Sequence, residues 1–431
     1  MRFLARPGPH TERISVRCAD VFTAINTFSC VLKGRSSVKI FNTLTQSVEP
    51  FTPIGDTVLA YVCGITPYDT THLGHAFTYV SFDTLFRYLE YRDYKVRYVQ
   101  NVTDIDDDVL RKAGQLGMAW DELGNREIER FWRDLDALNV KHPAVYPRAT
   151  DEIPRIIEMA QELLGKGYAY ENQGYVYYNV QKDRDFGALA RAIGLNDYQA
   201  MLSVANERGN HPDDPRKKDP LDFVLWQAQA PGGPAWPSPW GPGRPGWHIE
   251  CSSMSLHYLG QQIDIHGGGA DLTFPHHTCE IAQSEHVTDK VPFVRYWMHI
   301  GMVYLDGEKM SKSLGNLILV SNLLKEYSPD AIRVMLQSHH YRQPWEATPQ
   351  DMRDASETVE LFSHVRSLVG KDACGKDADL AARFTEAMDD DLNTPAALAL
   401  LKQAATTVIA NHDMQTGAQL LRLTTVLGLC V

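Results

Sequence analysis

The feature that most constrains this chain is a strand, a helix and a second strand in quick succession near its start. Val58-Leu59-Ala60-Tyr61-Val62-Cys63 is a short apolar run with β character. After the loop Gly64 to Thr71, a helical pattern puts Phe82, Leu85, Phe86 and Leu89 on one side, and Lys95 to Val102 reads as another strand. Two strands joined through a helix within about 45 residues form the parallel crossover unit of nucleotide-binding sheets. The expected class is therefore α/β, with a Rossmann-type parallel sheet. His72-Leu73-Gly74-His75 falls between the carboxyl end of the first strand and the amino end of the helix. Open α/β sheets bind ligands there, and a helix amino terminus favours phosphate.

The chain has 431 residues, too many for one small core, and its sequence divides accordingly. Residues 1–37 read as an N-terminal extension whose place in the native protein the sequence leaves open, and 38–150 as the first half of the Rossmann-type sheet. An insertion is expected over 151–225. It opens with a helix capped by Thr150 and stopped by Gly165, followed by a hairpin of Tyr168–Tyr170 and Tyr175–Val180. The second half of the sheet spans 226–345 and includes a strand over Val294–Leu305, a tight turn at Asp306-Gly307 and a lysine-bearing loop. A helical bundle follows over 346–431; Thr348-Pro349 marks a helix start within it and Ser328-Pro329 one shortly before it. No segment reaches the ~18 to 20 apolar residues that would span a bilayer. Seven scattered cysteines argue against a disulfide framework and for a reducing, cytoplasmic setting. The net charge of −12 means that any nucleic-acid contact needs a local basic surface.

Chemistry concentrates in Trp247-His248-Ile249-Glu250-Cys251, His266-Gly267-Gly268-Gly269-Ala270-Asp271 and Phe274-Pro275-His276-His277-Thr278-Cys279-Glu280. His276 and Glu280 would share one helix face, and Cys251 with the distant Cys63 could complete a tetrahedral zinc shell. The spacing is equally compatible with a buried strand thiol and a core histidine. Asp104, Asp106, Asp107 and Asp108 read as helix-capping residues rather than as a metal cluster.

The pairing of His72-Leu73-Gly74-His75 with Lys309-Met310-Ser311-Lys312-Ser313 resembles the signature of class I aminoacyl-tRNA synthetases. Tyr61-Val62-Cys63-Gly64-Ile65-Thr66, Asn101-Val102-Thr103-Asp104, Gly243 to Cys251 and His266 to His277 narrow the resemblance to the cysteinyl-tRNA synthetase group, from about Lys39 onward. The resemblance implies one zinc ion on Cys63, Cys251, His276 and Glu280, holding the thiol of L-cysteine. It also implies a substrate pocket with Gly64, Thr66, Asn101, Thr103 and Trp247, and an adenosine side with Thr78, Gly268, Asp271 and the Val303 backbone. His72, His75, Lys309 and Lys312 would act on ATP, delivered with Mg²⁺, as cysteinyl-adenylate forms. The expected acceptor is tRNA and the expected state a monomer.

A second acceptor is in play. The chain ends soon after the helical block, and Thr66 to His75 and Glu207 to Pro212 resemble mycothiol cysteine ligases, which join cysteine to the amino-sugar glucosaminyl-inositol. His266 and Glu280 resemble the tRNA enzymes instead. Thr278-Cys279 departs from the synthetase pattern and makes Cys279 a possible substitute for, or assistant to, Glu280.

Overall fold

A computed structural model describes residues 37–68, 71–310, 315–370 and 375–431. The N-terminal extension, but for its last residue, and Lys312 lie outside these residues. In chain order the first elements are β1 (Lys39–Asn42), β2 (Ser47–Pro50), β3 (Thr57–Ile65), α1 (Leu73–Tyr91), β4 (Lys95–Val102), α2 (Asp107–Leu116) and α3 (Trp120–Ala137). Then come α4 (Ile153–Gly165), β5 (Ala169–Asn172), β6 (Tyr175–Tyr178), α5 (Ala188–Ala192), α6 (Tyr198–Glu207), β7 (Phe223–Ala228) and β8 (Gly243–Pro245). The second half holds α7 (Trp247–Leu259), β9 (Ile263–Gly269), α8 (Thr278–Thr288), β10 (Val294–Ile300), β11 (Val303–Leu305) and β12 (Glu308–Lys309). The last elements are α9 (Val320–Leu323), α10 (Pro329–Gln337), β13 (Trp345–Glu346), α11 (Pro349–Val369), α12 (Ala378–Asp389), α13 (Thr394–Asn411) and α14 (Met414–Val426).

The central sheet runs β10-β9-β3-β4 and every pairing in it is parallel. From β3 the chain crosses outward through α1 to β4, and from β9 it crosses the other way through α8 to β10. The strand order therefore reverses between β3 and β9, and their carboxyl ends open a crevice at that point. Both faces are covered, so β3 reads as an almost unbroken apolar run. Helix α1 is buried on nearly every side, not on one stripe, because α10 and α14 pack on the face turned away from the sheet.

The insertion is a four-stranded antiparallel sheet in the order β5-β6-β7-β8. Its first hairpin turns at Gln173-Gly174, both with positive φ (58° and 80°), as the sequence suggests. Thr150 does not cap α4. A short 3-10 turn precedes that helix, and the Thr150 hydroxyl and amide both donate to Asp104. The single strand expected over Val294–Leu305 is two: β10 ends at Ile300, and β11 joins a separate sheet with β12 and β13. Cys430 is disulfide-bonded, whereas Cys63, Cys251 and Cys279 are buried free thiols.

One buried ion pair ties the sheet to the C-terminal helices. Arg333 of α10 pairs with Asp83 of α1, which also takes Arg87 Nε at 2.7 Å. Its remaining N–H groups donate to the carbonyls of Leu427 at 2.7 Å and Leu138 at 2.8 Å. No described helix is long and apolar enough to cross a membrane.

Candidate active site

The crevice begins at the amino end of α1. His72 is extended (φ −100°, ψ 169°), and its Nδ1 accepts from the N–H groups of Gly74 (3.1 Å) and His75 (3.4 Å). The two rings stack at 3.7 Å. The first turn carries no acidic residue, so the positive end of the helix faces the crevice uncompensated. Thr78 Oγ1 donates back to the Gly74 carbonyl at 3.1 Å. Gly64 passes so close to β4 that a Cβ there would lie 1.5 Å from the Asn101 carbonyl oxygen. Its N–H instead donates to Asn101 Oδ1 at 2.8 Å, and Asn101 Nδ2 reaches Thr103 Oγ1 at 3.4 Å.

These elements bound a cleft of about 1300 Å³ between the central sheet and the insertion. Cys63, Gly64, Thr66, His72, His75, Thr78, Trp247, Asp271 and Val303 all line it. Asn101, Thr103, Cys251, His276 and Glu280 are buried behind this wall. Gly268 lies beside them, where a Cβ would fall 3.5 Å from that of Cys63. From the insertion, Arg208 reaches across to pair with Asp271 at 3.3 Å. Lys309 pairs through its backbone with Tyr304 at the end of the β11–β12 hairpin.

At the base of the cleft the four expected metal donors converge. Cys63 comes from the end of β3, Cys251 from α7, and His276 and Glu280 from the turn into α8 and its first turn. Their donor atoms all lie within 4.8 Å of one another. The sulfurs are 3.8 Å apart, Cys63 Sγ is 3.6 Å from Glu280 Oε1, and His276 Nε2 is 3.2 Å from the same oxygen. A tetrahedron with bonds of about 2.0 to 2.3 Å has edges of about 3.8 Å (S to S), 3.6 Å (S to O) and 3.4 Å (N to O). The residues present therefore fit a four-coordinate cation. Trp247 stacks on His276 at 4.4 Å, and His248 Nδ1 lies 2.9 Å from His276 Nδ1, so the ring is held from behind.

A second grouping shares two of these donors. Cys63, His266, His277 and Glu280 also fall within 4.8 Å, with His277 Nε2 3.3 Å and His266 Nε2 3.6 Å from Cys63 Sγ. His277 is oriented by His299, Nδ1 to Nε2 2.8 Å, and His299 by Thr43. Sequence reasoning placed His248, His266 and His277 in the stretches where chemistry concentrates but gave them no ligand role, and it missed His299, since their convergence depends on the tertiary path. Cys279 is not a donor: it packs into the insertion-side core with Tyr178 and Phe223. One residue before Glu280 on a helix, it points about 100° away from the metal face.

Burial governs the charges. It pushes the Cys63 thiol and the Glu280 carboxyl well up and the His276 imidazole well down, so without a cation these three donors favour their neutral forms. His266 and His299 are likewise pushed down to about 3 by burial. A divalent ion reverses this logic by stabilising thiolate and carboxylate.

Comparison with known proteins agrees with this geometry. The fold is shared with methionyl-tRNA synthetase of Mycobacterium tuberculosis in complex with methionyl-adenylate (TM-score 0.62, 16% identity, 86% of this chain and 90% of that one). It is shared also with the Agrobacterium radiobacter K84 LeuRS in a ternary complex (TM-score 0.63, 12% identity, 88% and 84%). Residues 50–357 match the catalytic domain of class I (C) tRNA synthetases and residues 383–430 match the DALR domain. Fold and site together define a class I aminoacyl-tRNA synthetase. A cysteine–tRNA ligase of Dehalococcoides mccartyi strain 195 is 47% identical over 369 residues, 84% of this chain and 79% of that protein. One from Escherichia coli O17:K52:H18 is 45% identical over 401 residues, 91% and 85%. The chain belongs to the cysteine–tRNA ligase family.

Proposed function

We propose that this chain activates L-cysteine with ATP and transfers it to tRNA. The observation that carries the reading is the pair of thiols with an imidazole and a carboxyl group at the sheet's switch point, beside the helix terminus that carries His72 and His75. Zinc suits that donor set, and when bound it would favour the deprotonated sulfur of cysteine over the harder hydroxyl of serine. Shape alone discriminates atoms of similar size by only ~1 to 3 kcal/mol.

The side chains then divide the work. Trp247 and Thr66 close around the amino acid, and Thr78, Gly268, Asp271 and Val303 take the adenosine side. His72 and His75, with the α1 terminus behind them, face the charge that builds on the α-phosphate when the cysteine carboxylate attacks it in line. Lys309 and Lys312 neutralise the departing pyrophosphate, with Mg²⁺ accompanying ATP. No covalent enzyme intermediate is needed.

The relatives named above are tRNA ligases, which favours tRNA over an amino-sugar as acceptor. The test is incubation with ATP, labelled cysteine and either tRNA or glucosaminyl-inositol. Label should appear in the tRNA. Label on the sugar alone would refute the reading.

A further inference from the structure

Cysteine carries three polar groups on two adjacent carbons, and the reading above engages two of them. The thiol goes to the donor cluster and the carboxylate faces the ATP side. The α-ammonium leaves Cα in a third direction, and a cation entering a buried pocket needs an anion or several oxygens to accept from it.

Three carboxyl groups lie where β4 ends against α7. Asp104 is occupied, since it accepts from the Thr150 amide at 3.0 Å and hydroxyl at 2.6 Å. Asp106 caps α2, accepting from the Asp108 amide at 2.7 Å. Glu250 differs from both. It borders the cleft while only 1% exposed, and sits three residues after Trp247, on the same helix face. Its Oε2 has no hydrogen-bond partner among the described residues. A buried carboxyl oxygen with nothing to accept marks a place where a donor belongs.

We propose that Glu250 receives the α-ammonium of the cysteine substrate. This rests on the cysteine-activating reading above. The amino acid is then held at three points, which rejects thiols that lack the amine and fixes the hand of Cα.

The test is calorimetric titration of zinc-loaded protein with cysteine and with 3-mercaptopropionate, which has the thiol and carboxylate but no ammonium. Wild type should prefer cysteine by about 10- to 100-fold, the range of one charge-assisted hydrogen bond. Glu250→Gln should remove most of that preference by weakening cysteine alone, with zinc content and 3-mercaptopropionate affinity retained. Equal affinity of wild type for both thiols would overturn the proposal without any variant. So would a Glu250→Gln protein that keeps the full preference, or one that loses zinc and both thiols together, which would make Glu250 a mere support for Cys251. Cysteine-dependent exchange of pyrophosphate into ATP, run on the same wild-type sample, reports on ligase activity by itself. No exchange with an intact amine preference would sink the activity and keep the contact.

Discussion

Among single residues, the two overlapping donor sets make opposite demands. Cys63 and Glu280 serve both, so only the remaining members discriminate. The sulfur–sulfur edge of 3.8 Å and the stacking of Trp247 on His276 favour Cys251 and His276. Cys251→Ser and His276→Ala should therefore cost more than the roughly 10- to 100-fold in metal affinity typical of an outer-sphere partner, and His277→Ala should stay within that range. Metal content and competition with a chelator measure it, and the opposite ranking would assign the ion to His266 and His277. Cys63 could be named from sequence because the residues around it resemble a known motif. The rivalry with His266 and His277 could not, since strand order alone decides which imidazoles meet. Cys279 shows the converse: adjacency along the chain put it beside Glu280, and helical rotation carried it into the insertion core.

Among the elements, α1 is where the two halves of the structure meet. Its apolar residues were legible, but its burial on all sides was not, because the second partner surface lies some 250 residues downstream in α10. The seam is polar as well: Arg333 spans Asp83 and the carbonyls of Leu427 and Leu138. Arg333→Met should cost ~1 to 3 kcal/mol, since Asp83 keeps Arg87 and Leu427 keeps Gln337, while the Leu138 carbonyl loses its buried donor. A urea midpoint measures this, and a loss near zero would mean that Met refills the site. Local rules also misled at Thr150, whose hydroxyl found Asp104 instead of the helix end. The expected boundary at residue 225 falls within β7, since pairing with β6 and β8 is set by long-range register.

At the level of the whole molecule, acid should weaken the fold through the junction between sheet and bundle. Burial pushes His339 and His340 below their ordinary value, outweighing Asp351 and Asp391, which pull the other way. Their unfolded counterparts take up protons near ~6.5. Their contribution is therefore complete above about pH 6.5 and shrinks as pH falls below it, while the folded rings stay neutral. Thermal midpoints of metal-loaded protein should drop between pH 7 and 5.5, and less so when both residues are changed to Gln. A profile that the double change leaves equally steep would move the sensitivity elsewhere.

The crevice donors come from β3, α7 and α8, and Cys63 and Cys251 stand 188 positions apart. Any motion that parts the two crossover units would therefore take Cys63 away from Cys251, His276 and Glu280, and the ion should be held more weakly by the three donors that remain. Colour from a zinc-binding dye would thus serve as a gauge of whether the two sides of the sheet are still joined, in a sample containing no substrate at all.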